Sequence, residues 1–160
     1  MSRVQDALFS AHGLVSAPAV PPLIPVAFLE SAAPAAGFLQ AMNLSVRAGW
    51  RMAVRESTWI HGHLFARVQS AGTWQALRDC AQGRCALREG LFPAFEGFYL
   101  GCEEAAPETR AAIRPDLPAL SFSSAALVIM RIESAPPPGW WQDLHWEIVE
   151  QRSLRGTRAA

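Results

Sequence analysis

The chain has 160 residues, 51% of them hydrophobic and 18% charged, which excludes a disordered polymer and allows one domain with its own core. Its fourteen basic residues, all of them arginine, balance fourteen acids. The resulting zero net charge excludes a bulk field that would draw in nucleic acid or an anionic membrane.

Ser2 is placed to cap a first helix in which Val4, Ala7, Leu8 and Ala11 form one apolar stripe, ended by Gly13. Residues 14–26 contain Pro18, Pro21, Pro22 and Pro25 and read as a proline-rich connector running extended over the surface. The same prolines interrupt the uncharged run between Asp6 and Glu30, so neither an export signal nor a membrane span is expected there. Ser31 can cap the next helix, with Ala35, Phe38, Leu39 and Met42 at helical spacing up to Asn43.

LSVRAGWRMAVR, from Leu44 to Arg55, alternates strictly: Val46, Ala48, Trp50, Met52 and Val54 share one parity, and Arg47, Arg51 and Arg55 share the other. Period two means a β-strand with one face in a core. WIHGHLFARV continues the alternation after Glu56-Ser57-Thr58, and the register between the two segments decides which side chains share a face. A three-residue loop at Glu56-Ser57-Thr58 pairs Arg55 with Trp59, Arg51 with His63 and Arg47 with Arg67. It also gathers Ile60, Leu64, Ala66 and Val68 with the apolar parity of the first strand. A two-residue connection would set His61 and His63 against Trp50 and Met52, so the three-residue loop is the expected one.

Thr73 then caps a helix through Trp74, Leu77 and Ala81 that stops near Gly83. Phe92, Phe95, Tyr99 and Cys102 make a helical stripe after Pro93, although Gly90, Gly97 and Gly101 weaken it. A short helix follows at Pro107–Ile113. LSFSSAALVIMRIE is apolar on both parities in its middle, as a central strand would be. The APPPG loop leads to a last strand from Leu144. These elements predict an α+β fold whose mostly antiparallel sheet is built from two hairpins, at about 44–68 and 120–151, with helices packed on one face. One domain spans 1–160, with a flexible tail at about 153–160.

Three features could carry function. His61 and His63 sit at i and i+2, and His145 and Glu147 repeat the spacing on the last strand. On strands such pairs point to one side, and the four together would form a cupin-like set for one divalent transition metal. Phe65, Ala66 and Arg67 stand where a further carboxylate would be expected, and Arg51 beside His63 disfavours a cation. The second feature is the polar face itself, on which Arg47, Arg51, Arg55, His61, His63 and Arg67 are interleaved with Trp59 and Phe65. Glu103, Glu104 and Glu108 are the chain's own candidates to cover that face. The third is Trp140-Trp141, expected to stand exposed after the rigid loop as an interface anchor.

Cys80, Cys85 and Cys102 form neither a disulfide framework nor a zinc spacing, which points to a reduced, cytoplasmic setting. No P-loop, Rossmann glycine pattern or G-x-S-x-G is present. The expectation is therefore a small, cofactor-free, non-catalytic accessory, adaptor or chaperone-like protein that binds a larger partner protein. It would use the arginine–aromatic face or the Trp140-Trp141 loop. The alternatives are a metal-dependent enzyme using His61, His63, His145 and Glu147, and a regulator that binds nucleic acid or an anionic ligand through the same face.

Overall fold

The computed structural model describes residues 1–31, 38–39, 51–103, 106–123, 126–136 and 139–153. The first seven positions of the alternating segment, 44–50, lie outside them, as do Glu104, Pro137, Pro138 and the tail from 154. Helix α1 spans Ser2–His12. Strands β1 (Arg51–Ile60) and β2 (His63–Gln69) follow, then α2 (Thr73–Gln82), β3 (Gly97–Cys102) and α3 (Pro107–Ala112). The chain then forms β4 (Ser121–Ser123), β5 (Ala126–Glu133) and β6 (His145–Ser153). All pairings are antiparallel, in a four-stranded sheet ordered β3-β2-β1-β4 and a two-stranded sheet β5-β6. The fold is α+β.

The first hairpin corrects the expected register. β1 runs straight through Glu56-Ser57-Thr58, and the chain turns at His61-Gly62, with Ile60 opposite His63. Both turn residues have positive φ, 49° at His61 and 82° at Gly62. This is the left-handed pair that a two-residue hairpin requires, and histidine tolerates it better than most side chains. Between Val54↔Val68 and Ser57↔Ala66 the register shifts, so Arg55 and Glu56 together oppose Arg67. That β-bulge reverses the parity of β1. Val54 before it and Trp59 after it therefore reach the same apolar cluster.

Helix α1 ends as its sequence predicts. Gly13 adopts φ 67°, and its N–H returns to Phe9 while Leu14 N–H reaches Leu8, the double closure that glycine makes cheap. The buried stripe is Val4, Gln5 and Leu8, and it packs over Val54, Leu64, Ala66 and Leu100 on one side of the sheet. The other side is covered by Phe92, Tyr99, Phe65 and Trp140. β2 is thus covered on both faces from Leu64 to Ala66, with Arg67 and Gln69 exposed farther along.

Three expectations are overturned here. The proline-rich connector is core: Leu14, Ser16, Ala17 and Val20 are almost completely buried. It turns along β3 instead of crossing the surface, because the outer edge of β3 has main-chain groups to satisfy. Leu23 O accepts from Tyr99 N–H, and Ser16 Oγ both donates to Cys102 O (2.8 Å) and accepts from Cys102 N–H (2.7 Å).

The segment Phe92–Cys102 contains β3 and no helix, and its glycines have strand reasons. A Cβ at Gly97 would lie 2.8 Å from Ala66 O, and one at Gly101 (φ 149°) would lie 2.8 Å from Leu14 Cδ2. The LSFSSAALVIMRIE segment is not one central strand. It divides into β4, which pairs with β1, and β5, which belongs to the second sheet.

Two caps also shift by a residue: Met1 precedes α1, and Gly72 precedes α2. The hydroxyl that meets the α2 start is Ser70 Oγ, accepting from Trp74 N–H at 3.1 Å.

Gly101→Ala is expected to lower unfolding free energy by about 2–4 kcal/mol, since it adds both backbone strain and a core clash. Gly13→Ala, with nothing within 4 Å of its Cβ, should lose only about 1 kcal/mol. Urea denaturation of the two variants checks this, and equal losses would contradict the assigned role of Gly101.

Candidate functional site

The structure does not bring together the residues proposed for a metal site. His61 occupies the exposed hairpin turn, and His63 opens β2 across from Cys102. The turn between the two histidines removes the same-side geometry that i, i+2 residues have within a strand. His145 is exposed on β6 opposite Glu133, and Glu147 is tied to Arg131 by an ion pair. Among the described residues no group of three or more His, Cys, Asp or Glu is arranged to hold a metal ion.

The arginine face is also divided. Arg47 lies outside the described residues, and Arg51 is placed on β1 opposite Ser123. Arg55 donates to Gln69 Oε1 through Nε (3.1 Å) and Nη2 (2.7 Å), and Arg67 pairs with Glu56 at 3.4 Å. The partners of Arg55 and Arg67 are thus neighbours on the same hairpin. Within the acidic segment, Glu103 N–H bonds Gly62 O, and Glu108 is exposed in the first turn of α3. Neither aromatic residue is left as an exposed platform: Phe65 stays on the side of His63 and Arg67 but is fully buried, and Trp59 packs with the α1 cluster on the other side.

Trp140 corrects the third expectation. It is buried, 6.2 Å from Phe92 and 5.8 Å from Trp141 between ring centroids. Its neighbour Trp141 is half-buried in the same cluster.

Beneath this aromatic cluster lies a polar core that the sequence does not mark. The His63 and Tyr99 rings are 6.0 Å apart, and Tyr99 stacks on Phe92 at 4.3 Å. His63 Nδ1 and the Tyr99 hydroxyl are both buried, without a nitrogen or oxygen hydrogen-bond partner among the described residues. Burial, and then the nearby Cys102 thiol, hold the Tyr99 phenol well above its ordinary range. Burial, followed by the charge of His61, lowers His63 to about 4. Near neutrality the pair is therefore an uncharged imidazole beside a protonated phenol.

Two larger features complete the candidate surfaces. A cavity of about 680 Å³ opens between the 22–31 segment, α2 and β5. β6 forms the outer strand of its hairpin, with Trp146 43%, Ile148 50% and Val149 39% exposed. Apolar residues on both parities of β6 suggest a covered strand, so the sequence does not signal this exposure. The aliphatic residues scattered among the prolines of 22–29 are the only signal for the cavity.

With the geometry in hand, comparison with known proteins gives one informative likeness. The chain superimposes on the crystal structure of TT0787 of Thermus thermophilus with a TM-score of 0.61 and 18% identity, over 99% of this chain and 95% of that one. At that identity the likeness establishes the fold alone. No family model and no curated protein matches the sequence.

The His63 environment has a pH consequence. Its folded pKa lies below the ordinary value of 6.5, so between about 6.5 and 4 the unfolded chain binds a proton that the folded chain does not. Stability is then greatest above that window, falls as the pH drops through it, and levels off below it. With solvent screening of this half-buried ring, the loss should be about 1–2 kcal/mol. Denaturation midpoints at pH 7 and pH 4.5 measure it, and His63→Phe should remove most of the difference.

Proposed function

We propose that this is a non-catalytic accessory or adaptor protein that binds a partner protein, and that the partner lays an extended apolar segment along β6. The observation carrying this reading is β6 itself. It pairs only with β5 among the described residues, and every position except Glu150 is exposed. A long edge strand with large apolar side chains offers free main-chain groups for strand addition and side chains for selectivity.

The charges on the hairpin favour an uncharged, extended occupant over nucleic acid or an acidic peptide. Arg131 is engaged with Glu147, and Arg152 Nε lies 3.4 Å from Glu150, so the cations of this hairpin are already answered. Arg55 and Arg67 are likewise engaged within their own sheet, which counts against the arginine-face routes to an anionic partner. The dispersed positions of His61, His63, His145 and Glu147 leave the metal-enzyme reading without an observation in its favour.

The test is a photo-crosslinking residue at position 148, with the same residue at exposed Val15 as the control. One partner species, crosslinked at 148 through an extended apolar segment, is expected. Ile148→Glu should weaken the purified partner's affinity tenfold or more, about 1.4 kcal/mol, with little change in melting temperature. Crosslinking no different from Val15, a partner whose affinity ignores Ile148→Glu, or a second copy of this chain as the only species captured would each overturn the reading.

A further inference from the structure

The walls of the 680 Å³ cavity are built from main chain that is already bonded. Pro25 O accepts from Phe95 N–H (3.1 Å) and from Trp74 Nε1 (3.1 Å), Phe28 O accepts from Arg88 N–H (3.0 Å), and Glu30 N–H donates to Ala86 O (3.1 Å). Leu29 and Leu87 form an isolated antiparallel bridge between these last two bonds. The Phe28 ring lies where a Cβ at Gly90 would fall, 2.3 Å from that position, and meets Phe92 edge-on at 5.1 Å. Residues 25–30 are thus fastened on both sides. The opposite walls are Leu77 and Ala81 of α2 and Leu127 and Ile129 of β5. Protein interiors leave few voids larger than a water, and a preformed apolar concavity of a few hundred Å³ has the size of a small-molecule site.

The lining carries three charged side chains, Glu30, Arg88 and Arg131. Arg131 is occupied by Glu147. Arg88 has no acidic partner among the described residues, and its main chain is pinned at the wall by Phe28 O. An arginine whose main chain is fixed at the edge of an apolar cavity can offer its guanidinium to a carboxylate or similar planar anion through two parallel hydrogen bonds.

From the fixed apolar walls and this guanidinium, we infer that the cavity is a binding site for an amphipathic small molecule, its apolar chain or ring body inside and one acidic head group on Arg88. The cavity meets β6 only at Val149, and the inference stands without the partner reading.

Calorimetric titration of the full chain with decanoate, decanol and decyltrimethylammonium tests it. Decanoate should bind about tenfold more tightly than decanol, the ratio worth one charge-assisted contact, and the cation should bind more weakly than either. Arg88→Gln, at an exposed position that leaves the core intact, should bring decanoate down to the level of decanol without changing decanol itself. Glu30→Gln should tighten decanoate a fewfold by removing a like charge. Ile129→Trp should weaken decanoate and decanol together, by filling the cavity. Equal affinity for decanoate and decanol, a preference that survives Arg88→Gln, or no binding of either probe would overturn the inference.

Discussion

The fold depends on how the outer edge of β3 is closed. A strand at the margin of a sheet carries main-chain donors and acceptors that cannot be left bare in a core. Here the N-terminal segment answers them with two buried polar side chains. Ser16 takes both main-chain groups of Cys102, while Gln5 Nε2 bridges Val20 O at 2.9 Å and Tyr99 O at 3.3 Å. These contacts hold α1 and the connector against residues far away in sequence. They also place Leu14, Ala17 and Val20 where they finish the two clusters on either side of the sheet. Gly101 is the other half of the device, since only a residue without a Cβ lets Leu14 and Ala17 approach so closely.

Much of this architecture is legible in the sequence, and the misses share a cause. Helix α1 with its Gly13 stop, the α2 stripe ending at Gly83, the Pro107 helix and the last strand are local patterns, and residue spacing alone reports them. The first hairpin fails because alternation is carried through a bulge. Once Arg55 and Glu56 share one partner, Trp59 changes sides, and an arginine–aromatic face cannot assemble. β3 fails because Phe92, Phe95 and Tyr99 at helical spacing are equally the members of an aromatic cluster. The glycines that should veto a helix are placed for contacts with Ala66 and Leu14 that no local window reveals.

The candidate site is less legible than the fold, for a related reason. His61-Gly62-His63 resembles a chelating pair until the backbone is seen: the first histidine serves a left-handed turn and the second a buried corner. Trp140-Trp141 suggests an exposed anchor until Phe92 is placed beside it. The cavity depends on three segments far apart in the chain, the 22–31 strap, α2 and β5, and no single one announces it. β6 is legible as a strand, but apolar residues on both of its parities are equally the pattern of a covered strand, so its exposure is not.

The two sheets also differ in how firmly they hold their own shape. β2 is covered on both sides from Leu64 to Ala66 and hydrogen-bonded at both edges, whereas β5 and β6 have only each other as strand partners among the described residues. A lone two-stranded ribbon is marginal in water, so this one relies on Leu127 and Ile129 seated against Leu77 and Ala81. Local opening free energies follow such differences in support. The four-stranded sheet therefore forms the high-stability unit of the chain. The ribbon has the weaker strand support of the two and owes its place to side-chain packing.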